Sequence, residues 1–560
     1  MQRPAALGRV IVFFRVTKNR SKRRLSADLR HLRMARSIPA PTPLSPELAA
    51  VPRRFFRVLE ALSACAFSLA LTACVGTGGI VADARLPAPN QLATDAAIEA
   101  ATLQAGWPDS HWWQGFGDPQ LNQWVALTLA GSPSLAAANA RLRQARAAAG
   151  LAEAREAPQL GASATLDRRN WPTDGFYGPG DLANRTTWDN HAGLSLSYDL
   201  DLWHRDRSAS ERSLDLAHMG AAQTRQARLS LVRDVVRVYI GMALSYARQD
   251  ILEATLDQQR QVLALANQRL RAGIGTQLEV SQAQTLIPET QRQLDALEEQ
   301  VAQARNQLAA LAGKGPGAAA GLQRPRLSLA QGLGLPTRLP AQLLGQRPDV
   351  VASRWQVAAQ ARGIEVAQAS FYPNVDLSAS LGYMTTSGGL LAFLTGQKLG
   401  YSAGPAVSLP LFDGGRLRAE LGEAAGGYDL AVAQYQEVLA NALKDVSDQL
   451  IRRASLEHQA SYAEQSVASA QRAWTLARVG WQRGLTGYLD VLQAQTALLR
   501  QRTVQEEVQA ARLVTQVDLV TALGGGLEAG SDSPAPDRLS APRLPAALSL
   551  MDEARKRATP

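Results

Sequence analysis

The sequence predicts a mainly α-helical protein with a transmembrane β-barrel part, built from two internal structural repeats. The first observation is a duplicated segment, since residues 280–285 and 491–496 both read Val-x-Gln-Ala-Gln-Thr. The second is a pair of long proline-free runs, at about residues 207–270 and 416–478. The third is a set of four short stretches with small or apolar residues at every second position. The copies lie about 210 residues apart, far beyond the ~20–50 residues of solenoid repeats, so one large unit has been duplicated.

The amino-terminal segment has the pattern of a secretory leader. Three arginines within residues 53–57 precede an apolar run at 61–70, which is typical of the n-region and h-region of a signal peptide. The next residues, Leu-Thr-Ala-Cys, resemble a bacterial lipobox and make Cys74 the predicted lipidation site. A second match ends at Cys65, with little apolar sequence before it. An ordinary secretory signal with a chance cysteine stays an alternative.

The charge distribution argues against nucleic-acid binding. Residues 1–57 hold about 14 Lys or Arg and about 2 acids. The formal charge of the whole chain is +10, so the remainder is close to neutral, whereas a nucleic-acid footprint needs a basic patch on the folded domain. The sequence contains no Walker motif and no Cys/His metal spacing. We therefore predict no enzyme activity, no metal and no cofactor.

The alternating stretches are the predicted membrane-crossing strands. Strands of about ten residues with period-two alternation are what a transmembrane β-barrel needs. No run beyond the leader reaches the ~18 apolar residues of a transmembrane helix. Four strands of a soluble sheet stay an alternative. The stretches are residues 159–166, 192–198, 374–383 and 403–409.

The long runs are predicted to be helices that pack as coiled coils. At 1.5 Å per residue, a run of roughly 63 residues would span ~95 Å. Apolar residues recur every seven positions, and this spacing favours coiled-coil packing. The recurring residues are Leu256, Leu263 and Leu270 in the first run and Val467, Trp474 and Trp481 in the second.

Six further motifs lie along the chain between about residues 107 and 526. They are Gly-Asp-Pro at 117–119, Tyr-Asp-Leu-Asp-Leu-Trp at 198–203, Arg-Pro-Asp-Val at 347–350, Phe-Tyr-Pro at 371–373, Leu-Phe-Asp-Gly-Gly at 411–415 and Ala-Leu-Gly-Gly-Gly at 522–526. Their order and duplication are specific, and over these residues the chain resembles the outer-membrane efflux lipoproteins, the OprM-like and NodT-like branch of the TolC family.

The resemblance implies a TolC-like trimeric α-barrel plus a shared 12-stranded β-barrel. A barrel shared between copies also satisfies a physical requirement. Open strand edges are not tolerated in lipid, and four strands cannot close into a barrel alone. The resemblance also implies a division of the chain into six parts. Residues 75–104, which are small, polar and Pro-containing, are predicted to be flexible. The parts are a leader and lipoprotein signal peptide (1–73), a lipidated tether (74–106), a first efflux repeat (107–312), a linker (313–340), a second efflux repeat (341–526) and a disordered tail (527–560).

The implied function is that of a passive exit duct in the bacterial outer membrane, lipid-anchored and extending into the periplasm. The homotrimer would conduct drugs or other small molecules, and a periplasmic membrane-fusion adaptor and an inner-membrane pump would be its partners. Two alternatives stay open. The same fold could serve type I protein secretion, or the chain could be a structural helical lipoprotein that forms no channel.

Functional residues are expected where the two helical hairpins turn. In the family these tips narrow the pore and meet the adaptor. Asp490 would form a threefold carboxylate ring and Leu489 an apolar ring; relatives carry Asp where this chain has Gln493. A helix-capping carboxylate is the alternative for Asp490, and Glu279 matches it in the first copy. The predicted constriction is Leu489, Asp490 and Gln493, and the predicted tip and adaptor residues are Arg271, Gly273, Gly275, Thr276, Arg483, Gly484 and Gly487.

Overall fold

The structure is a computed structural model that describes residues 76–86, 108–172, 181–328, 346–385, 389–394 and 398–526. The predicted leader, Cys65, Cys74 and the predicted tail lie outside the described residues. Residues 329–340 of the predicted linker between the repeats also lie outside them.

The described chain forms helices and strands in an order that occurs twice. Each copy has a helix, two strands, a helix of 67 residues and a helix of 35 residues. This equality of lengths shows the duplication directly in the fold. The elements are α1 (Pro119–Gly131), α2 (Pro133–Glu153), β1 (Gln159–Asn170), β2 (Thr186–Asp199), α3 (Arg205–Arg271), α4 (Gln277–Leu311), α5 (Pro348–Ala369), β3 (Asn374–Thr385), β4 (Leu399–Ser408), α6 (Arg416–Gln482) and α7 (Tyr488–Ala522).

The two long helices, α3 and α6, organise the helical part. Each would be about 100 Å long at 1.5 Å per residue. Near the strands, α3 packs between α2 and α5, and α5 packs on α6. Beyond the shorter helices α2 and α5, the neighbours of α3 become α4 and α7, and α7 packs on α6. The predicted seven-residue seam is confirmed at Leu256, Trp474 and Trp481, which are buried.

An aromatic cluster closes the start of the first repeat against α3. Trp112, Trp113 and Phe116 are buried beside Val236 and Tyr239 of α3. The Trp-rich start of the first repeat therefore packs on the helices. The buried side chains of the described residues fall into separate clusters along the helices, including one around α5 and the first half of α6 and one at the hairpin tips.

The four predicted strands form one antiparallel sheet in the order β1-β2-β3-β4. Cross-strand partners include Leu160 with Leu196, Leu194 with Leu381, and Leu381 with Tyr401. Among the described residues, the outer edges of β1 and β4 pair with no further strand. An open edge of this kind is a ready site for pairing with another chain.

The two faces of this sheet have opposite chemistry. One face carries large apolar side chains in the open, with Leu160 71%, Leu381 48% and Tyr401 86% exposed. The other carries small and polar residues, where Ser380 and Ser402 share a hydrogen bond of 2.8 Å. The apolar face of the two central strands consists of Ala192, Leu194, Leu196 and Tyr198 of β2 and Val375, Leu377, Ala379, Leu381 and Tyr383 of β3.

Residues 76–86 do not behave as the flexible tether expected from their composition. Arg418 Nε donates to the Gly76 carbonyl at 3.0 Å, and Asp429 accepts from the Ala84 N–H at 2.8 Å. Ile80 and Leu86 are partly buried against the cluster around α5 and α6. The expectation is therefore wrong for this segment, which lies along the first turns of α6. We call residues 76–86 the strap.

Among the described residues, no helix combines the length and the hydropathy that a membrane crossing requires.

Candidate functional site: the tips of two helical hairpins

The structure brings together the two predicted turns, because α3–α4 and α6–α7 are hairpins that pack side by side. Their ends share an apolar cluster to which both contribute. Trp481 is fully buried in this cluster, and its ring lies 5.3 Å from that of Tyr488. The first hairpin contributes Val262, Ala266, Val280 and Ala283, and the second contributes Trp481, Tyr488 and Val491.

The first turn is built around Gly273 and a helix cap. Gly273 has a φ of +76°, a left-handed conformation that favours glycine. A Cβ on Gly275 would lie 2.9 Å from the Arg269 Cβ, so this position needs glycine for space. Thr276 then begins α4 with a capping box. Its hydroxyl accepts from the Glu279 N–H, and the Glu279 carboxylate accepts from the Thr276 N–H, each at 3.3 Å.

The second turn repeats this geometry with different side chains. Gly484 has a φ of +77° and donates its N–H to the Trp481 carbonyl at 3.0 Å. The Thr486 hydroxyl donates to the Ala477 carbonyl at 3.1 Å. Gly487 has a φ of −78°, and a Cβ there would make only an ordinary contact of 3.6 Å with Asp490. This geometry therefore does not require glycine at position 487, unlike at Gly484.

The predicted constriction residues share one exposed face of α7. Leu489 is 58% exposed, and both Asp490 and Gln493 are exposed. The opposite face buries Tyr488, Val491, Gln495 and Leu498 at coiled-coil spacing. Leu489 and Gln493 are four residues apart, so they lie next to each other on the helix surface. This patch is available to line an opening or to meet another chain.

The Asp490 carboxylate has a local structural role. It accepts a hydrogen bond of 2.9 Å from the Gly487 N–H, where a negative charge also interacts favourably with the helix dipole. Glu279 does the same at the start of α4. The capping alternative for Asp490 is therefore present in the structure. A role in a pore ring needs neighbouring copies and stays a prediction.

Arg269 connects the two hairpins, and the sequence reasoning missed it. Its guanidinium lies 5.3 Å from the centre of the Trp481 ring. It donates to the Trp481 carbonyl at 3.1 Å and to the Ile274 carbonyl at 3.3 Å. The seven-residue spacing of apolar residues identified Trp481 in the sequence. No local pattern could identify Arg269, because its partner is 212 residues away. We call this contact the tip clamp.

The predicted tip arginines differ from Arg269 in their surroundings. Arg271 is exposed, and its described contact is with the Asn267 carbonyl of its own helix at 3.4 Å. Arg483 is also exposed, at the end of α6. Both side chains are accessible at the outside of the turns, which is where a contact with another protein would need them.

Comparison with known proteins gives a consistent result. The family model described as "Outer membrane efflux protein" matches residues 124–314 and 339–525. The fusaric acid resistance protein FusA of Burkholderia cepacia is 43% identical over 85% of this chain and 89% of its own length. The pyoverdine export outer membrane protein OpmQ of Pseudomonas aeruginosa is 32% identical, with 84% and 96% covered.

The fold is also similar to solved structures. The crystal structure of the outer membrane protein VceC from Vibrio cholerae superposes with a TM-score of 0.71 at 33% sequence identity. The match covers 75% of this chain and all of that one.

Proposed function

Since the chain belongs to the outer membrane efflux protein family and is an outer-membrane efflux channel, we propose that it is the passive exit duct of a tripartite efflux system. The observation that carries this proposal is a four-stranded sheet with one apolar face, joined to helices of 67 residues. A sheet with one apolar face is suited to form part of a membrane-spanning barrel, and the helices extend far beyond the membrane. An inner-membrane pump and a periplasmic adaptor supply energy and coupling.

The channel is a homotrimer in this proposal. A membrane barrel cannot keep open edges, because unpaired backbone groups in lipid cost several kcal/mol each. The free edges of β1 and β4 within the described chain would close by pairing with neighbouring copies. Three copies supply twelve strands, an even number within the range seen for bacterial barrels.

Cys74 is the proposed lipid anchor, and the strap supports it. Gly76, only two residues later, is held by Arg418 in the first turn of α6, and α6 begins soon after the end of β4. In the proposed arrangement the described chain therefore begins at the end of the fold where the strands lie, which is where a lipid anchor is needed. Radiolabelled palmitate should be incorporated into the wild type and into Cys65→Ser, and lost in Cys74→Ser. Labelling that persists in Cys74→Ser would contradict the assignment.

The hairpin tips form the proposed gate and adaptor contact. Threefold symmetry would place Leu489, Asp490 and Gln493 as rings at the inner opening, with Arg271 and Arg483 on the outside for the adaptor. Asp490→Asn tests the gate, because an amide oxygen can still accept from the Gly487 N–H while the charge is removed. Glu279→Gln is the matched control, since it removes the equivalent charge from the first hairpin.

Planar-bilayer recording of the purified protein distinguishes these roles. We expect Asp490→Asn to lower the preference for cations and to change the closed-state conductance, because a carboxylate ring favours cations. Glu279→Gln should leave both unchanged. If the two variants behaved equally, Asp490 would not line the pore constriction and would act only as a helix cap.

The cargo proposed for the first test is fusaric acid, because the 43% identical relative is named for resistance to it. Deletion of the gene should increase the sensitivity of its host to fusaric acid, and the wild-type gene should restore resistance. The purified protein should conduct ions in planar bilayers. Absence of any conductance would contradict the duct, whereas conductance without altered sensitivity would contradict only the choice of cargo.

A further inference from the structure

The turn between β4 and α6 exposes a large apolar side chain at one edge of the fold. Phe412 is 91% exposed and Leu411 is 62% exposed. Both follow β4, which is an edge strand of the sheet among the described residues. A phenylalanine this exposed beside a free strand edge indicates a surface that another chain covers.

The opposite edge of the fold has a helix that is largely exposed outside its contact with α3, and a junction that follows this helix. Helix α2 leads into β1, the other edge strand, and Ala138 is the one residue of α2 that is buried. Leu151 near its end is 73% exposed. The following Ala157 and Pro158, between α2 and β1, are exposed as well.

The duplication provides an internal template for joining these two edges. Inside the chain, the turn between β2 and α3 packs on the junction between α5 and β3. There the Trp203 ring stacks on Tyr372, with centroids 4.5 Å apart and planes at 18°. Trp203 Nε1 also donates to the Pro373 carbonyl at 2.8 Å. An aromatic residue of one strand-to-helix turn thus covers the helix-to-strand junction of the next repeat.

The two strand-to-helix turns have related local structures. In the first, the Asp201 carboxylate accepts from the N–H groups of Asp206 and Arg207 at the start of α3. In the second, the Asp413 carboxylate accepts from Gly415 and Leu417 at the start of α6. Phe412 is next to the capping Asp413. It therefore lies in the turn of the second repeat that corresponds to the turn carrying Trp203 in the first.

We propose that Phe412 packs on the junction between α2 and β1 of a neighbouring copy, against Ala157 and Pro158. This contact would repeat between copies what Trp203 and Tyr372 do within one copy. Ala157 stands one residue before the proline, as Tyr372 does in the second repeat, and its small side chain leaves space for the incoming ring. The contact rests on the proposed homotrimer and specifies how its copies are held at the base of the sheet.

Paired cysteines test this contact directly. The natural cysteines are Cys65 and Cys74, so the chain beyond residue 74 has no competing thiol. Ala157→Cys combined with Phe412→Cys should give covalent dimers and trimers on a non-reducing gel, after oxidation or treatment with a short bismaleimide. Trp203→Cys with Tyr372→Cys is the positive control, because it links residues within one chain and leaves the mass unchanged. Ala157→Cys with Ile274→Cys, at opposite ends of the fold, should give no covalent oligomer.

The possible results separate the two levels of the proposal. Absence of cross-linked oligomers in a sample that native mass spectrometry shows to be trimeric would overturn the Phe412 contact and leave the duct intact. Absence of trimers in that spectrum would overturn the proposed homotrimer itself. As a second readout, Phe412→Ser should lower the temperature at which trimers dissociate in SDS. Leu391→Ser, which removes another exposed apolar side chain (64%) from the β3–β4 loop, should not.

Discussion

At the scale of single residues, the two glycines of the second hairpin turn have different reasons to be glycine. Gly484 has a φ of +77°, and a Cβ there would meet no other atom within 4 Å. Gly484→Ala should therefore cost about 1–2 kcal/mol through its left-handed backbone alone. Gly487→Ala is the matched control and should cost less, because its φ is −78° and only its position as helix N-cap disfavours alanine. Thermal unfolding of the detergent-solubilised protein, followed by circular dichroism, checks the pair, and equal midpoints would contradict this account.

Asp413 stabilises the start of the second long helix through its negative charge. Backbone N–H donation from Leu417 and then Gly415 holds the pKa of its carboxyl below the usual 3.8. Because the folded pKa is depressed, the stabilisation is complete above about pH 4 and is lost as the pH falls through the folded value. Asp413→Ala should lower the unfolding temperature at pH 7, and the difference from wild type should shrink at the most acidic pH that the protein tolerates. A difference that stays constant with pH would exclude the charge.

At the scale of elements, the tip clamp holds one hairpin to the other. Arg269→Met removes the contact with the Trp481 ring and both carbonyl hydrogen bonds, leaving the apolar cluster alone. Hydrogen bonds from a charged group contribute roughly 1.5–3 kcal/mol, so the hairpins should separate more easily. We expect a higher closed-state conductance in planar bilayers. Arg271→Met, two residues away on the exposed side, should behave as wild type, and equal leakage from both variants would exclude a specific clamp.

The elements that the sequence could predict are those determined by local patterns. The proline-free runs predicted α3 and α6 to within a few residues of their ends. The period-two alternation predicted all four strands of the sheet. Contacts between distant segments could not be predicted in this way. The strap is an example, since its composition favours flexibility, yet Arg418 and Asp429 hold it from about 345 residues away. The pairing of Arg269 with Trp481 is hidden for the same reason.

The candidate site was predictable in position but not in detail. Two copies of one turn motif identified the tips, and Gly273 and Gly484 have the left-handed φ expected of a tight turn. The requirement at Gly275 comes from contact with Arg269, and no sequence pattern distinguishes it from Gly487. The Asp490 carboxylate was predicted to line the pore because of its charge, and it is also a helix cap. Both roles call for an acidic residue at this position, so the sequence could not distinguish them.

At the scale of the whole molecule, the sheet separates two environments along a single strand. Leu381 lies near the middle of β3 on the apolar face, and Ser380 beside it points to the opposite, polar face. Leu381→Lys should cost about 2–4 kcal/mol at the bilayer midplane, whereas a lysine on the lumen face should be tolerated and should change selectivity. We therefore expect Leu381→Lys to abolish the heat-modifiable trimer in outer-membrane fractions. Ser380→Lys should assemble normally and shift the conductance toward anions. If Leu381→Lys assembled and Ser380→Lys did not, the apolar face would line the channel rather than face lipid.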